Sequence, residues 1–292
     1  MLASSEKFVM QPNTTVSVVQ HAPGDMTQRE ANVNYIVEQI LAEGQRGSQL
    51  VVFPEMGITS FFRHEPGGYE RYWREATIEL DGPELARIVE AAGQVNTHAV
   101  VGFAERSATS GVIYNSAALI SPGGILGVTR KIHLPGLEKL YYTSSDMIEV
   151  IESPLGRIGI AICYDVMFPE YFRALSDQGA EIVIFCSSTW RGGEKGGVGI
   201  EHVKRDYWAA LPLVTAIQNQ VFVVACNACG HLDMGSQAGT WERLGLSQIV
   251  APTGVVLATA SEDETETIRA ELDNESMSAA RTSYRFISDR RL

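Results

Sequence analysis

The order of elements legible in this sequence predicts an α/β protein in which mixed β-sheets are layered against helices. Three observations carry that expectation. Short apolar, β-branched runs alternate with segments of helical periodicity along the 292-residue chain, the pattern of a layered α/β core. Several runs arrive as hairpins, so parallel and antiparallel pairing should mix. No internal repeat and no linker-like stretch divides the chain. One domain over residues 1–292 is therefore expected, with its core at about 14–272 and a weakly patterned tail at 273–292.

The elements follow in order. Thr15 to Gln20 reads as a first strand, and Glu30 to Ala42 places Val33, Ile36, Val37, Ile40 and Leu41 at helical spacing. The apolar strand from Gln49 ends at Pro54, which has no N–H for a ladder, and delivers Glu55 just past its tip. A solvated loop carboxylate is the competing reading of Glu55. Asp81-Gly-Pro83 opens a helix to about Asn96, and His98 to Phe103 is a buried strand. Val112 to Ile120 and Ile125 to Thr129 pair across the turn Ser121-Pro-Gly-Gly124 and deliver Lys131 at a strand end. An ordinary surface lysine is the alternative there. Glu138 and Lys139 lie in the loop that follows.

Met147 to Glu152 then turns through Ser153–Gly156 into the short apolar strand Ile158 to Ile162, which stops at Cys163. Phe168 to Leu175 reads as a helix, with Pro169 in its first turn and Gly179 beyond its far end. A thiol at a strand tip near a helix N-terminus sits where thiolate is favoured. A buried structural cysteine competes with that reading. Glu181 to Cys186 is another strand. The glycine-rich segment Arg191 to Gly199 reads as a mobile loop, and it lacks the Gly-Lys-Ser/Thr ending of a phosphate loop. A helix from about Tyr207 to Gln220 should hold Pro212 in or near its first turns. Strands from Val221, Ser247 and Gly254 follow, then an acidic solvated turn or short helix at Ser261–Glu266 and a last strand at Thr267 to Leu272.

Composition narrows the function. With 45% hydrophobic and 20% charged residues the balance is that of an ordinary globular protein. Its 23 basic and 35 acidic side chains leave a net charge of −12, which disfavours non-specific nucleic-acid binding and adhesion to anionic membranes. The start lacks the apolar core of a signal peptide, and no run approaches the roughly 20 apolar residues that span a bilayer. A cytoplasmic protein is expected. The four cysteines, 163, 186, 226 and 229, are too few for a disulfide scaffold in a chain of this length. Cys226-Asn-Ala-Cys229 has redox-motif spacing, but no helix pattern follows it and no second pair or spaced histidines would complete a zinc site. No metal and no cofactor are expected.

Glu55, Lys131 and Cys163 share one description: each directly follows an apolar strand. If those strands are neighbours, a carboxylate can take the thiol proton, the thiolate can attack an electrophilic carbon, and the ammonium can stabilise the resulting oxyanion. His133 and His202 are the nearest candidates for a histidine-based thiol site, and neither has a Cys–His family context.

The blocks Val51-Val-Phe-Pro-Glu-Met56, Tyr114-Asn-Ser116, Arg130-Lys-Ile-His-Leu-Pro135, Gly156 to Asp165 with Phe168-Pro-Glu170, Asn219 and Ala251-Pro-Thr-Gly254 occur in this order. With them the chain resembles the nitrilase superfamily, the carbon–nitrogen hydrolases, over nearly its full length. The resemblance implies a four-layer αββα sandwich that forms a homodimer or a higher homo-oligomer, and cofactor-free hydrolysis of a small-molecule amide through a thioester. It implies Glu55 as general base, Lys131 as transition-state stabiliser and Cys163 as nucleophile. Glu138 matches a second glutamate that positions the lysine or the substrate, and the Tyr164 N–H would complete an oxyanion hole.

Cys163-Tyr164-Asp165 looks more like the amidase-type branches than the Cys-Trp-Glu of true nitrilases. Val166, Met167 and Phe168 stand where carbamoyl-amide hydrolases often carry arginine or histidine, so an apolar pocket wall is expected there. A small carboxamide is the expected substrate, with an N-carbamoyl compound or a nitrile as alternatives. A binding protein with a dead site is the reading from another class. Trp190, just past a strand tip, is expected to line the pocket, against a core-filling role. Arg191 reads as a solvated loop residue, with contact to a substrate carboxylate the alternative.

Overall fold

The computed structural model describes residues 10–196 and 200–291. The amino-terminal segment 1–9, part of the glycine-rich stretch (197–199) and Leu292 lie outside the described residues. In chain order the regular elements are β1 (Asn13–Gln20), α1 (Arg29–Gln45), β2 (Leu50–Val52), α2 (Gly68–Glu75), α3 (Pro83–Gln94), β3 (His98–Arg106), β4 (Ile113–Ser121) and β5 (Gly124–Arg130). Next come β6 (Val150–Ser153), β7 (Gly156–Ile162), α4 (Pro169–Asp177), β8 (Ile182–Ser187), β9 (Trp190–Gly193) and α5 (Glu201–Asn219). The chain closes with β10 (Phe222–Asn227), β11 (His231–Asp233), β12 (Thr240–Arg243), β13 (Gln248–Val250), β14 (Val256–Thr259), β15 (Glu266–Asp273), α6 (Asn274–Ser283) and α7 (Phe286–Asp289).

Two six-stranded sheets form the centre, in the orders β15-β1-β2-β3-β4-β5 and β14-β13-β10-β8-β7-β6. Both are mixed: β1, β2 and β3 run parallel, as do β7, β8 and β10, with antiparallel strands at the flanks. Side-chain alternation assigns the layers. Leu50 and Val52 of β2 meet Ile158, Ile160 and Ile162 of β7 in the space between the sheets. Val51 points the other way, onto Val33, Ile36 and Ile40 of α1 and Ile88 of α3. On the far side Val183, Phe185 and Val223 pack on Phe172 and Leu175 of α4 and Trp208 of α5. The layers are therefore helix, sheet, sheet, helix. Burying each such side chain contributes about 1.5–3 kcal/mol before chain entropy is subtracted.

The topology brings strand ends together. β5 is antiparallel to β4 and hence parallel to β1–β3, so β2 and β5 end at the same edge of the first sheet. The Glu55 N–H donates to Ser187 O at the end of β8 (3.3 Å), which joins that edge to the C-terminal edge of the second sheet.

Three expectations differ from the structure. Trp190–Gly193 is not loop but β9, which pairs with β12 in a small third sheet β11-β12-β9. Glycine and tryptophan there give no alternating pattern to read. The helix expected from Tyr207 begins at Glu201, so Pro212 lies in its interior rather than near its start. The added turn, Glu201 to Asp206, is polar but for an exposed Val203, so no apolar spacing announces it. The weakly patterned tail folds as α6 and α7, with Asp273 capping α6 through the Ser276 N–H (2.8 Å).

Candidate active site

Glu55 follows β2 in a turn that rests directly on β3. A Cβ at Gly102 would lie 2.8 Å from Pro54 O, Glu55 Cα and Met56 N, so only glycine allows this approach. Lys131 continues β5 by one residue, its N–H donating to Asn115 O (2.8 Å). Glu138 is carried by a single 3₁₀ turn, Gly136–Leu140. Cys163 opens another, Cys163–Met167, directly after β7, and adopts a left-handed φ of 47°. That conformation is unusual for a non-glycine residue and collects at functional sites. Tyr164, the second residue of the turn, has an N–H that by position lacks a helical acceptor.

These segments converge. Lys131 Nζ donates to Glu55 Oε1 (2.8 Å) and to both oxygens of Glu138 (3.0 and 2.8 Å). All three are buried: Lys131 is 0%, Glu55 1% and Glu138 7% exposed. Asn115 Nδ2 donates to the same Glu55 oxygen at 2.7 Å and reaches Glu138 Oε2 at 3.5 Å. Glu55 Oε2 is left with no hydrogen-bond partner among the described residues, an acceptor out of water and unused. Cys163 is half-buried beside this group and interacts electrostatically with Glu55, Lys131 and Glu138.

The charges explain the protonation states. Burial works against the Lys131 ammonium, but the Glu138 and Glu55 carboxylates outweigh it and hold the lysine well above its ordinary range. Burial pushes Glu138 up to about 7; Lys131 pulls it down and Glu55 pushes it further up. Burial also drives the Cys163 thiol well above its usual value, reinforced by Glu55, with Lys131 and a Ser188 backbone hydrogen bond opposing. The thiolate expected from a helix N-terminus is thus not what the surroundings favour. The α4 helix starts only at Pro169, and desolvation dominates. These surroundings favour the thiol over the thiolate.

Asp165 ties two of the segments together. Fully buried, it accepts from His133 N (2.8 Å), Ile132 N (3.4 Å) and Ile162 N (3.4 Å), and its Oδ1 lies 2.8 Å from His133 Nδ1. It thereby staples the Lys131 strand end to the Cys163 turn. Asp165→Asn would set amide hydrogens against main-chain donors. It should cost about 2–4 kcal/mol of unfolding free energy in a denaturant titration, in line with a broken buried network. An unchanged titration midpoint would remove the staple from the account.

A cavity of about 290 Å³ opens beside Glu138, walled by Phe61, Phe62, Trp190, Met234 and Trp241 among others. Trp190 meets Phe61 edge-on at 5.4 Å and Trp241 at 6.2 Å. Arg191 does not face it freely, being paired with Glu262 (2.8 Å), Asp263 (3.2 Å) and Glu242 (3.3 Å). His133 is engaged by Asp165 and stacked on Phe168 at 3.6 Å, while His202 is exposed on α5. The Tyr164 ring, 40% exposed, leans edge-on against Phe168. Cys226 donates toward Val19 O in the core (3.6 Å), whereas Cys229 lies by Thr265 Oγ1 (3.8 Å), so the two thiols have separate surroundings. No group of three or more His, Cys, Asp or Glu among the described residues is placed to hold a metal. No helix among them is long and apolar enough to cross a membrane.

Sheets, helices and this cluster define a class. The chain belongs to the carbon–nitrogen hydrolase family, whose sequence profile matches residues 15–282. It is similar to an (R)-stereoselective amidase of Pseudomonas sp (33% identity over 84% of this chain and 80% of the relative). It is also similar to an N-carbamoylputrescine amidase of Solanum tuberosum (29% identity over 95% and 92%). A solved carbon–nitrogen hydrolase of Helicobacter pylori G27 superposes with a TM-score of 0.82 at 28% identity, covering 96% of each chain. Saccharomyces cerevisiae Nit3, of the nitrilase superfamily, shares the fold at 0.81 and 23% identity, over 97% of this chain and 98% of that one.

Sequence reasoning missed Asn115 and Asp165 as members of this buried hydrogen-bond cluster, although both stand inside the sequence blocks named above. A carboxamide in an otherwise apolar strand was the available signal, because a buried polar group needs partners. The cavity aromatics Phe61, Phe62 and Trp241 gave none, being scattered in irregular segments.

Proposed function

We propose that this chain hydrolyses a small linear carboxamide to a carboxylic acid and ammonia through a thioester on Cys163. The observation that supports it best is the buried Lys131 held by two carboxylates, one of which, Glu55, keeps a free oxygen next to a strained cysteine. In this reading Glu55 takes the thiol proton as sulfur attacks the carbonyl carbon. The oxyanion is met by the Lys131 ammonium and the Tyr164 N–H. As the intermediate collapses and the C–N bond breaks, the departing nitrogen takes the proton from Glu55 and leaves as ammonia. Glu55 then deprotonates a water that attacks the thioester, freeing the acid and restoring the thiol. Glu138 and Asn115 orient Lys131 and Glu55.

Purified protein incubated with a broad amide panel should release ammonia, and intact-mass spectrometry should find an acyl adduct confined to Cys163. Silence across the panel would sink the proposal. Carbon dioxide accompanying ammonia would point to an N-carbamoyl substrate, the second reading, which the Solanum relative favours by its name.

The raised Glu138 carboxyl adds a pH signature. Its folded form holds the proton more tightly than the unfolded chain. Its contribution is therefore present below the ordinary carboxylate range and is lost as pH rises through about 7. The unfolding free energy of Glu138→Gln, compared with the unchanged chain between pH 4.5 and 7.5, should lack this decline. Parallel curves would mean that Glu138 does not bind the extra proton.

A further inference from the structure

The cavity beside Glu138 also says which acyl group fits. We propose that the acyl group is uncharged and apolar, an aryl-alkyl or branched aliphatic chain seated between Trp190, Trp241 and Phe61; this rests on the amide-hydrolase reading above. Phe61, Phe62, Trp190, Met234, Ala238 and Trp241 present hydrocarbon and ring surface, and Glu138 is the one ionisable side chain among the described lining residues. Its two oxygens are both taken up by Lys131 (3.0 and 2.8 Å), so it is not free to pair with a charged tail. It marks the end of the cavity nearest the cluster, although Lys131, Glu55 and Cys163 are not themselves among the described lining residues.

Both kinds of charged tail are disfavoured in this cavity. A substrate carboxylate buried here would find no cation in the wall, and an unpaired buried carboxylate is costly. Two nearby arginines are spent, Arg191 on Glu262, Asp263 and Glu242, and Arg63 on Asp233 at 2.8 Å, and a third, Arg243, lies outside the cavity wall. Glu138 and Glu55 would repel it as well. A substrate ammonium could in principle use the tryptophan faces. Each ring already has a cation over it, Arg243 at 5.4 Å from Trp190 and Lys204 at 5.9 Å from Trp241. Arg243 is 1% exposed and, among the described residues, donates to the carbonyls of Pro23 and Cys229 and to no carboxylate, so its charge repels another cation. Arg243 is not part of the cavity wall and offers a carboxylate no hydrogen bond there.

The size agrees. An apolar cavity of about 150 Å³ takes benzene, and about 290 Å³ leaves room for a ring with a short linker.

The test is a kcat/KM series for ammonia release. Acetamide, propionamide, butyramide and hexanamide should rise by about fourfold per methylene, the equivalent of about 0.8 kcal/mol each. 3-Phenylpropionamide should exceed both glutaramic acid and 5-aminopentanamide by at least about 100-fold, the arms that read a negative and a positive tail. In Ala238→Phe, which fills the cavity, the ratio of 3-phenylpropionamide to propionamide should fall at least about tenfold. A flat alkyl series, or a charged tail preferred over its apolar counterpart, would overturn the pocket assignment while leaving amide hydrolysis in place. No ammonia from any amide would overturn both. The wild-type series decides even if the variant does not fold.

Discussion

Alanine in place of Cys163 is expected to abolish ammonia release, by at least about 10⁴-fold in kcat/KM, while leaving the unfolding midpoint close to that of the unchanged chain. In the proposed reaction the magnitude follows from losing a nucleophile that would act as a unit with its base, where single removals cost about as much as removing the whole set. The stability half follows from the backbone. Cys163 sits at φ 47°, and alanine meets the same strain as cysteine there, so the exchange relieves nothing. Its sulfur only fringes the core between the sheets, so little packing is lost. Glycine at this position should be more stable than alanine by about 0.5–1 kcal/mol, because it accepts a left-handed φ without a Cβ penalty. A cysteine conserving only packing would behave the other way round, with activity intact and stability reduced. Kinetics and thermal unfolding of Cys163→Ala and Cys163→Gly, measured together, separate the two.

Much of this was legible in the sequence because burial writes itself as period. The runs at 158–162 and 182–186 are apolar on both faces because each lies in a sheet covered by another sheet and by helices. Strand ends were equally legible, since Pro54 and the change from Ile162 to Cys163 mark where ladders stop. What sequence could not supply was adjacency. Lys131 and Glu55 are 76 residues apart and meet at 2.8 Å only because β2 and β5 end at one sheet edge. Nor could it weigh desolvation against helix dipole at Cys163, since that balance depends on what covers the sulfur. The third sheet escaped for a different reason. Its strands, such as Trp190–Gly193 and His231–Asp233, are too short to show a readable alternation, and both pair with Thr240–Arg243.

Lys131→Met tests the electrostatic centre and should have the largest effect on the fold. Removing the ammonium leaves Glu55 and Glu138 buried together without a cation. Breaking a buried pair from one side typically costs about 3–5 kcal/mol, because the remaining charge is stranded out of water. The loss should be greatest above neutral pH. As pH falls, Glu138, already raised by burial, takes up a proton and part of the repulsion disappears, so the variant should regain stability toward pH 5.5. Adding Glu138→Gln to Lys131→Met leaves this position uncharged at any pH. The double variant should therefore be more stable at pH 7.5 than Lys131→Met alone, a coupling of about 1–3 kcal/mol between side chains in direct contact. Activity should not follow stability. The double variant at pH 7.5, folded but without a cation to meet the oxyanion, should remain inactive, which separates what Lys131 does for the fold from what it does for the reaction. Urea titrations at the two pH values and ammonia release from the best amide provide both readings. A Lys131→Met chain as stable as the original at pH 7.5 would mean that the two carboxylates are not charged together. Turnover in the double variant would remove Lys131 from the oxyanion step.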